Sequence, residues 1–247
     1  MLGMTRFRNS WTWAAFGKHP ALKDFFSLGI PRQAGQGFAE WVQSGYQRAS
    51  ARENKAPRRF YSWRFWMKGP RKGSLACGLL RDSSDSLGRP FPLLILGSGS
   101  LPGWEERWEL LPLACERPWE QMEAISTGAF PDFDHLKEEI RQIQPPRPQW
   151  SEFSAGKFAL AGDGSGDCWA FESGKRTIGA ADGDLIPLDD PAGGSPRAAV
   201  QLWHSLWKQR VGDIPRVIFM GGNGNKVFVA FFRQPLTAED FGRLWSA

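Results

Sequence analysis

The sequence predicts an α/β protein in which a mixed, largely antiparallel sheet is flanked by helices on its faces, as a layered sandwich. Short connections join the strand candidates of the first half, which favours antiparallel neighbours. Further strand candidates follow near the C-terminus, and amphipathic helical patterns separate the two groups. Strands at both ends of a chain with helices between them fit one sheet that is covered by helices.

The chain opens with a strand, a loop and a helix. A short apolar run ends at Gly17, and Pro20 prevents the strand from continuing smoothly. Order resumes at Phe25, and Pro31 stands at the first turn of a helix predicted over 31–51. Apolar residues repeat along that helix at helical spacing, at Phe38, Trp41, Val42 and Tyr46.

Later elements follow from the same patterns. Asp132 or Asp134 caps one predicted helix, and Thr237 caps the last one. The Gly-rich segment 221–225 is a strong hairpin signal. Strands are predicted at 60–68, 74–81, 92–97, 217–220 and 226–232, and helices at 117–125, 133–143 and 198–211.

A proline-rich segment, Pro145-Pro146-Arg147-Pro148, is the best candidate for a domain boundary. The residues after it, 151–197, are rich in Gly, Ser and Asp and predict short strands around Phe158 and over 168–171. Each half of the chain alone offers too few helices to cover both faces of its strands. We therefore predict a single α/β domain over 1–247, in which the prolines form a crossover.

Composition excludes several classes of protein. With 247 residues and 41% hydrophobic content, the chain can bury a substantial core. It has no apolar stretch near the roughly 20 residues that span a bilayer, and no secretory signal, which predicts a cytoplasmic protein without membrane insertion. The spacing of Cys77, Cys115 and Cys168 suits neither disulfides nor a local metal clamp, so we expect reduced, mostly buried thiols.

The net charge of +5 is mild and spread along the chain, so a nucleic-acid partner is not predicted. The exception is the segment 55–72, where basic residues are interleaved with aromatic ones. Such a mixture can grip a single-stranded nucleic acid through phosphates and base stacking. A strand with one buried aromatic face and solvated cationic flanks also explains the alternation, and it is the interpretation that we favour.

No catalytic, cofactor or metal motif is complete. His19, His135 and His204 lack the spacing of zinc ligands. The segment 163–167 imitates the start of a calcium loop, but it lacks the Gly turn and the closing Glu, which favours a tight turn. The glycines at 221–224 precede a strand and not a helix, and no Gly-x-Ser-x-Gly elbow occurs. We therefore expect no enzyme, no cofactor and no metal.

Two motifs and an aromatic strand, with Trp63 and Phe65, carry a resemblance to a known family. The first motif, Gly-Lys-x-Pro-(x)3-Asp-Phe, is formed by Gly17, Lys18, Pro20, Asp24 and Phe25. The second motif, Asp-Ser-x-Gly-Arg-x-Phe-Pro-Leu, includes Asp85, Gly88, Arg89, Phe91, Pro92 and Leu93. Over about 13–130, the chain resembles the TagF family, also called ImpM, of proteins encoded with bacterial type VI secretion systems. The resemblance implies that 150–247 complete the same layered sheet.

The resemblance also implies a function. TagF-like proteins act after translation as repressors of secretion, are associated with a kinase and phosphatase pathway, and in some bacteria contact a forkhead-associated scaffold protein. A non-enzymatic cytoplasmic regulator that binds another protein is thus the leading hypothesis. The alternative is an enzyme or small-ligand binding protein whose pocket is built from dispersed residues. An exposed aromatic patch near the two motifs would favour the regulator.

The candidate partner-binding residues are Lys18, Asp24 and Arg89. In one interpretation Asp24 and Arg89 pair while Lys18 stays free to meet an acidic partner group. In the other, which we favour, the pair merely fixes one loop against the other. The remaining motif residues have structural roles, with the two aromatic side chains as anchors: Gly17, Pro20, Phe25, Gly88, Phe91 and Pro92.

Overall fold

The computed structural model describes residues 11–29, 34–52, 60–153, 182–188, 196–224 and 226–247. Within these ranges one eight-stranded sheet has the order β2-β1-β5-β4-β3-β7-β8-β6, and each neighbouring pair is antiparallel. The predicted α/β class is thereby confirmed. The strands are β1 (Thr12–Gly17), β2 (Phe26–Leu28), β3 (Tyr61–Lys68), β4 (Ser74–Arg81), β5 (Leu93–Ser100), β6 (Leu185–Pro187), β7 (Val217–Asn223) and β8 (Lys226–Phe232).

Helices cover both faces of the sheet. The helices are α1 (Ala34–Arg52), a 3-10 helix (Glu105–Leu110), α2 (Leu111–Ala114), α3 (Glu116–Thr127), α4 (Phe133–Arg141), α5 (Pro196–Val211) and α6 (Ala238–Leu244). Helices α1 and α6 share one buried cluster with the sheet, and the others share a second cluster on the opposite face. None of the helices in the described ranges combines the length and the apolar character that crossing a bilayer requires.

Strand β3 shows how the sequence pattern produces these layers. Trp63 and Phe65 pack toward α1, whereas Trp66 packs on the opposite face, and all three are fully buried. Arg64 points to the same side as Trp66 and donates hydrogen bonds to both carboxylate oxygens of Glu123, at 2.7 and 2.8 Å. The strand is confirmed, but the prediction of one buried aromatic face with solvated cationic flanks is wrong, since rings are buried on both faces and Arg64 is paired. These three rings are not accessible to a nucleic-acid base, whereas Phe60 is 48% exposed.

The predicted caps are present, and β7 and β8 form the predicted hairpin, although Gly221, Gly222 and Asn223 belong to β7 and not to the turn. The Asp132 carboxylate accepts a hydrogen bond from the His135 N–H at 3.0 Å and caps α4, so Asp132 and not Asp134 is the cap. Thr237 caps α6 in a reciprocal capping box. The strands predicted near Phe158 and over 168–171 lie outside the described residues, as does the segment 163–167.

The short strands β2 and β6 and the helices over 105–114 were not predicted. Strands of three residues are too short for a periodic pattern. The segment Glu105–Leu110 contains a non-helical residue, Arg107, which interrupts its helical geometry. These elements depend on burial against the rest of the structure, which a local pattern does not report.

The sheet joins the two halves of the chain. Strand β3 pairs with β4 on one side and with β7 on the other. Trp63 stands opposite Leu80 of β4 and opposite Gly221 of β7. The single-domain organisation stays a prediction that this pairing motivates.

A fragment of residues 1–144 tests the prediction of a single domain. The fragment lacks β6, β7, β8, α5 and α6, which uncovers the edge of β3 and parts of both buried clusters, so we expect it to be insoluble or molten. Soluble yield and the cooperativity of thermal unfolding are the measurements. A fragment that unfolds cooperatively would instead establish two independent domains.

Gly17 sets the end of β1. Its φ is +124°, and a Cβ atom built on it would lie 2.0 Å from the carbonyl oxygen of Pro92. Gly17 also stands opposite Leu93, the first residue of β5. The two sequence motifs therefore meet in the backbone, at a point where only glycine allows the close approach.

We expect Gly17→Ala to destabilise the protein by about 3 kcal/mol or more, since it combines a strained φ with a backbone clash. Gly37→Ala is the matched control. Gly37 lies in α1 with no atom within 4 Å of its would-be Cβ, so this change should stabilise by about 0.5–1 kcal/mol. Denaturant unfolding of both variants measures the difference. Equal stability of the two variants would show that the contact at Pro92 is not important.

Candidate functional site

The two motifs form neighbouring loops at one end of the sheet. We call residues 18–25 the first motif loop and residues 82–92 the second motif loop. The first leaves β1 after Gly17, and the second connects the end of β4 to the start of β5. Leu93 stands opposite Gly17 on one side and opposite Arg81 on the other, which brings the loops side by side.

The carboxylate of Asp85 lies at the centre of this junction, with its side chain fully buried. One oxygen, Oδ2, lies 2.9 Å from Lys18 Nζ and 2.7 Å from Arg89 Nε. The other, Oδ1, accepts hydrogen bonds from the backbone N–H groups of Leu87 and Arg89, at 3.0 and 2.9 Å. Two cations and two backbone donors thus converge on one carboxylate.

This environment fixes the charge of Asp85. Burial by itself would raise the pKa of the carboxyl, but the hydrogen bonds from Lys18, from Arg89 and from Leu87 outweigh it and hold the pKa well below its usual range. The carboxylate is therefore ionised at any physiological pH. A buried charge is tolerated here because it is both paired and fully hydrogen-bonded.

Arg89 clamps the two loops together. Besides Asp85, its guanidinium donates to the Lys23 carbonyl at 2.6 Å and to Asp24 Oδ1 at 2.7 Å. The predicted proximity of Asp24 and Arg89 is confirmed. The backbone adds a further link, because the N–H of Ser86 donates to the Leu22 carbonyl at 2.8 Å.

Lys18 is not a free cation, and the interpretation that left it available to an acidic partner is wrong. Its side chain is only 15% exposed and pairs with Asp85. Its ammonium also donates to the Arg89 carbonyl at 3.2 Å. The attraction of a buried carboxylate in the other motif outweighs the hydration that would keep the ammonium in solvent.

The aromatic anchors are arranged as a chain of edge contacts. Phe91 packs on Tyr46 of α1 and on Phe16, which ties the second motif loop to the face covered by α1. Phe25 packs on Phe16 and Phe91 but stays 43% exposed. Phe91 is thus the anchor that was predicted, whereas Phe25 is also part of the surface.

Gly88 forms the turn that presents Leu87. The φ of Gly88 is +76°, and its N–H donates to the Asp85 carbonyl at 2.9 Å. Leu87, at the tip of this turn, is 67% exposed.

A shallow cleft of about 510 Å³ lies beside the motif loops. It is lined by Pro20, Phe60, Arg81, Asp82, Ser83, Ser84, Gly88, Pro90, Ser126 and Thr127.

Two buried histidines, one in the first motif loop and one on α5, have structural partners. His19, in the first motif loop, accepts from the Ala21 N–H through Nδ1, so its Nε2–H donates to the Ile125 carbonyl of α3 at 2.9 Å. Burial lowers the pKa of His19. His204 accepts from the Trp66 indole, and burial lowers its pKa to about 4. Both rings are therefore neutral at physiological pH.

The described residues contain no group of three or more His, Cys, Asp or Glu side chains that could hold a metal ion. Cys77 and Cys115 are free and buried. Burial raises the pKa of the Cys115 thiol well above its usual range, so it is an inert thiol and not a thiolate ligand. Cys168 lies outside the described residues.

Asp85 and His19 are the site residues that the sequence prediction missed. Asp85 stands four residues before Arg89 and begins a turn that ends in Gly88, and this spacing is typical of an aspartate that folds back on its own loop. The pairing of Asp85 with Lys18 has no local signal, because the two residues lie in different motifs. Only the order of strands in the sheet brings them together.

We expect Asp85→Asn to lower the thermal midpoint by several degrees or more, because it leaves Lys18 and Arg89 without their shared counter-charge. Asp24→Asn is the matched control. Asp24 is 83% exposed and pairs only at the surface, so its loss should shift the midpoint by no more than about 2 °C. Similar losses in the two variants would contradict the central place given to Asp85.

The loss of stability caused by Asp85→Asn should also depend on pH. Because folding lowers the pKa of Asp85, its ionised form stabilises the folded state fully above the unfolded value of about 3.9. The gap between the parent and Asp85→Asn should therefore be largest above about pH 5 and shrink as the pH falls below about 4. Comparing both proteins at each pH cancels the contributions of His19 and His204.

Comparisons with known proteins concern the fold and the family of this chain. None of the curated proteins compared with the chain matches it. The solved structure of PA0076 from Pseudomonas aeruginosa PAO1 has a TM-score of 0.56 and 16% sequence identity, and covers 95% of this chain and 94% of that chain. At this identity, the likeness concerns the fold alone.

The family model described as the TagF N-terminal domain, type VI secretion system-associated, matches residues 14–143. This range is more than half of the 247 residues, and it contains both motif loops and the strands that position them. The chain therefore belongs to the TagF family of type VI secretion system-associated proteins.

Proposed function

We propose that this protein is a non-enzymatic cytoplasmic regulator that represses a type VI secretion system after translation by binding another protein of the system. Family membership gives the link to secretion. The observation that carries the proposal is that the charged side chains of the motif loops bond within the loops. Lys18, Asp85 and Arg89 bond to each other and to the loop backbones, so these charges fix the conformation of the two loops.

What the loops present outward is a fixed surface with apolar side chains on it. Leu87 is 67% exposed and Phe25 is 43% exposed, and both belong to loops that Asp85 and Arg89 brace. Because the loops are fixed before binding, a partner would not lose affinity to their ordering. Exposed apolar side chains on a rigid loop are typical of a protein-binding surface.

The exposed ion pair of Asp24 and Arg89, whose side chains are 83% and 50% exposed, lies beside this surface. A partner that covers it would remove water from the pair and would have to match its charges. The pair would therefore add selectivity for one partner over others. By the family resemblance, the first partner to test is the forkhead-associated scaffold protein of the same secretion system.

A small-ligand or enzymatic function is the alternative, and the cleft of about 510 Å³ favours it. Hydroxyl groups of Ser83, Ser84, Ser126 and Thr127 line the cleft together with Arg81. However, the Arg81 guanidinium already donates to Ser126 Oγ at 2.6 Å and stacks on Phe60, 4.7 Å from its ring centroid. These contacts hold Arg81 against the wall of the cleft, which favours a structural role.

The experiment compares Leu87→Glu with Gln43→Glu. Both add one negative charge at an exposed position, the first at the tip of the second motif loop and the second on α1. Because a charge buried at an interface is unfavourable, Leu87→Glu should weaken partner capture from native cell lysate by about tenfold and relieve repression of secretion. Both variants should melt like the parent.

Three measurements decide the outcome. The measurements are the thermal midpoint, the amount of co-purified scaffold protein and the secretion of cells that overproduce each version. Normal scaffold capture and normal repression by a stable Leu87→Glu protein would remove this surface from the partner site. Equal effects of Leu87→Glu and Gln43→Glu would mean that net charge, and not the loop, is responsible.

A further inference from the structure

The end of the sheet opposite the motif loops carries a row of cations. Lys68 ends β3, Arg216 precedes β7 and Arg233 follows β8. The Lys68 N–H donates to the Arg216 carbonyl, and the Arg216 N–H donates to the Phe232 carbonyl, each at 2.8 Å. The first bond continues the register of β3 and β7, so Lys68 and Arg216 stand side by side on adjacent strands, about 4.8 Å apart. Arg233 follows Phe232 on the next strand, and its own N–H donates to Asp182 Oδ1 at 2.6 Å.

The row is poorly neutralised. Lys68, Arg216 and Arg233 are all exposed. Within the described ranges, Lys68 and Arg216 form no ion pair, and Arg233 reaches Asp182 only at 3.8 Å between Nε and Oδ1. Like charges directly opposite one another in a sheet are destabilising. A row of this kind gains stability when an anion binds to it.

Two hollows meet at the row. The basic hollow, of about 880 Å³, is lined by the three cations together with Gly69, Pro70, Gly212, Asp213 and Ile214. An apolar hollow of about 200 Å³ shares Lys68 and Arg216 with it, and its lining includes Phe38, Trp41, Met67, Val217, Pro235 and Leu236. The site therefore offers positive charge on one side and apolar contact on the other.

We propose that this end of the sheet is a second docking site, which takes an acidic peptide segment carrying one apolar side chain. The acidic side chains lie over Lys68, Arg216 and Arg233, and the apolar side chain enters the smaller hollow. Charge complementarity identifies the occupant. The site lies roughly one strand length, about 25 Å, from the motif loops, so it does not rest on the docking surface proposed there.

The lining argues against a nucleotide or a nucleic acid. Base recognition without hydrogen-bond readout needs an exposed aromatic face for stacking. The aromatic residues of the apolar hollow, Phe38 and Trp41, are 5% and 7% exposed, and the described lining of the basic hollow contains no aromatic residue. An aliphatic side chain of a peptide fits such a surface better than a base.

Fluorescence anisotropy tests the proposal on the full-length protein. The probe is a dye-labelled peptide of about twelve Asp and Glu residues with one central Leu. We expect binding that weakens as NaCl rises from about 50 to about 200 mM, and a weaker affinity when the central Leu is replaced by Ser. Arg216→Gln and Lys68→Gln should each weaken binding at least about fivefold. Arg48→Gln, an equal change of charge on α1, should leave it unchanged.

Any one of three results would overturn the proposal. The first is failure of the peptide to bind, and the second is equal weakening of binding by Arg48→Gln. The third is displacement of the peptide by ATP or polyuridylate at lower concentrations than by unlabelled peptide. Displacement of this kind would assign the row to nucleotides or nucleic acids. Arg216→Gln should melt at or above the temperature of the parent, because it relieves repulsion. A clear fall in its thermal midpoint would assign Arg216 a structural role and contradict the proposal.

Discussion

The candidate site depends on the buried carboxylate of Asp85. A charge without water around it is stable only when its partners are fixed, and here the partners come from both motif loops. Lys18 directly follows β1, and Arg89 lies in the loop that precedes β5, so the ion network connects the ends of these two strands. The loops therefore have one arrangement relative to the sheet and not several, and a surface with one arrangement can recognise a partner selectively.

The sheet makes this network possible. Gly17 allows β1 to pass close to the Pro92 carbonyl, and the antiparallel pairing of β1, β5 and β4 brings both loops to the same end. Aromatic layers on the two faces hold the strands in register, as Trp63 and Trp66 do on opposite sides of β3. At the other strand ends the described residues place no buried carboxylate between Lys68 and Arg216, and both cations remain exposed there.

Much of the fold could be predicted because its elements carry local signals. The aromatic alternation of β3, the stripe of α4 and the capping box at Thr237 are all visible within a few residues. The order of strands has no such signal, and neither do β2 and β6, which are three residues long. The proximity of Asp24 and Arg89 could be predicted, because each lies next to an aromatic residue that anchors its loop to the same core. The partnership of Lys18 with Asp85 could not be predicted, since it depends on where a buried acceptor lies in three dimensions.

An NMR titration of the Asp85 carboxyl carbon, assigned by the loss of its signal in Asp85→Asn, tests the central claim most directly. If two cations and two backbone donors hold this carboxylate, its signal should show no protonation step as the pH falls from about 6 to about 3 in the folded protein. A step near the ordinary aspartate value of about 3.9 would mean that Asp85 is exposed and weakly paired, and would contradict the account.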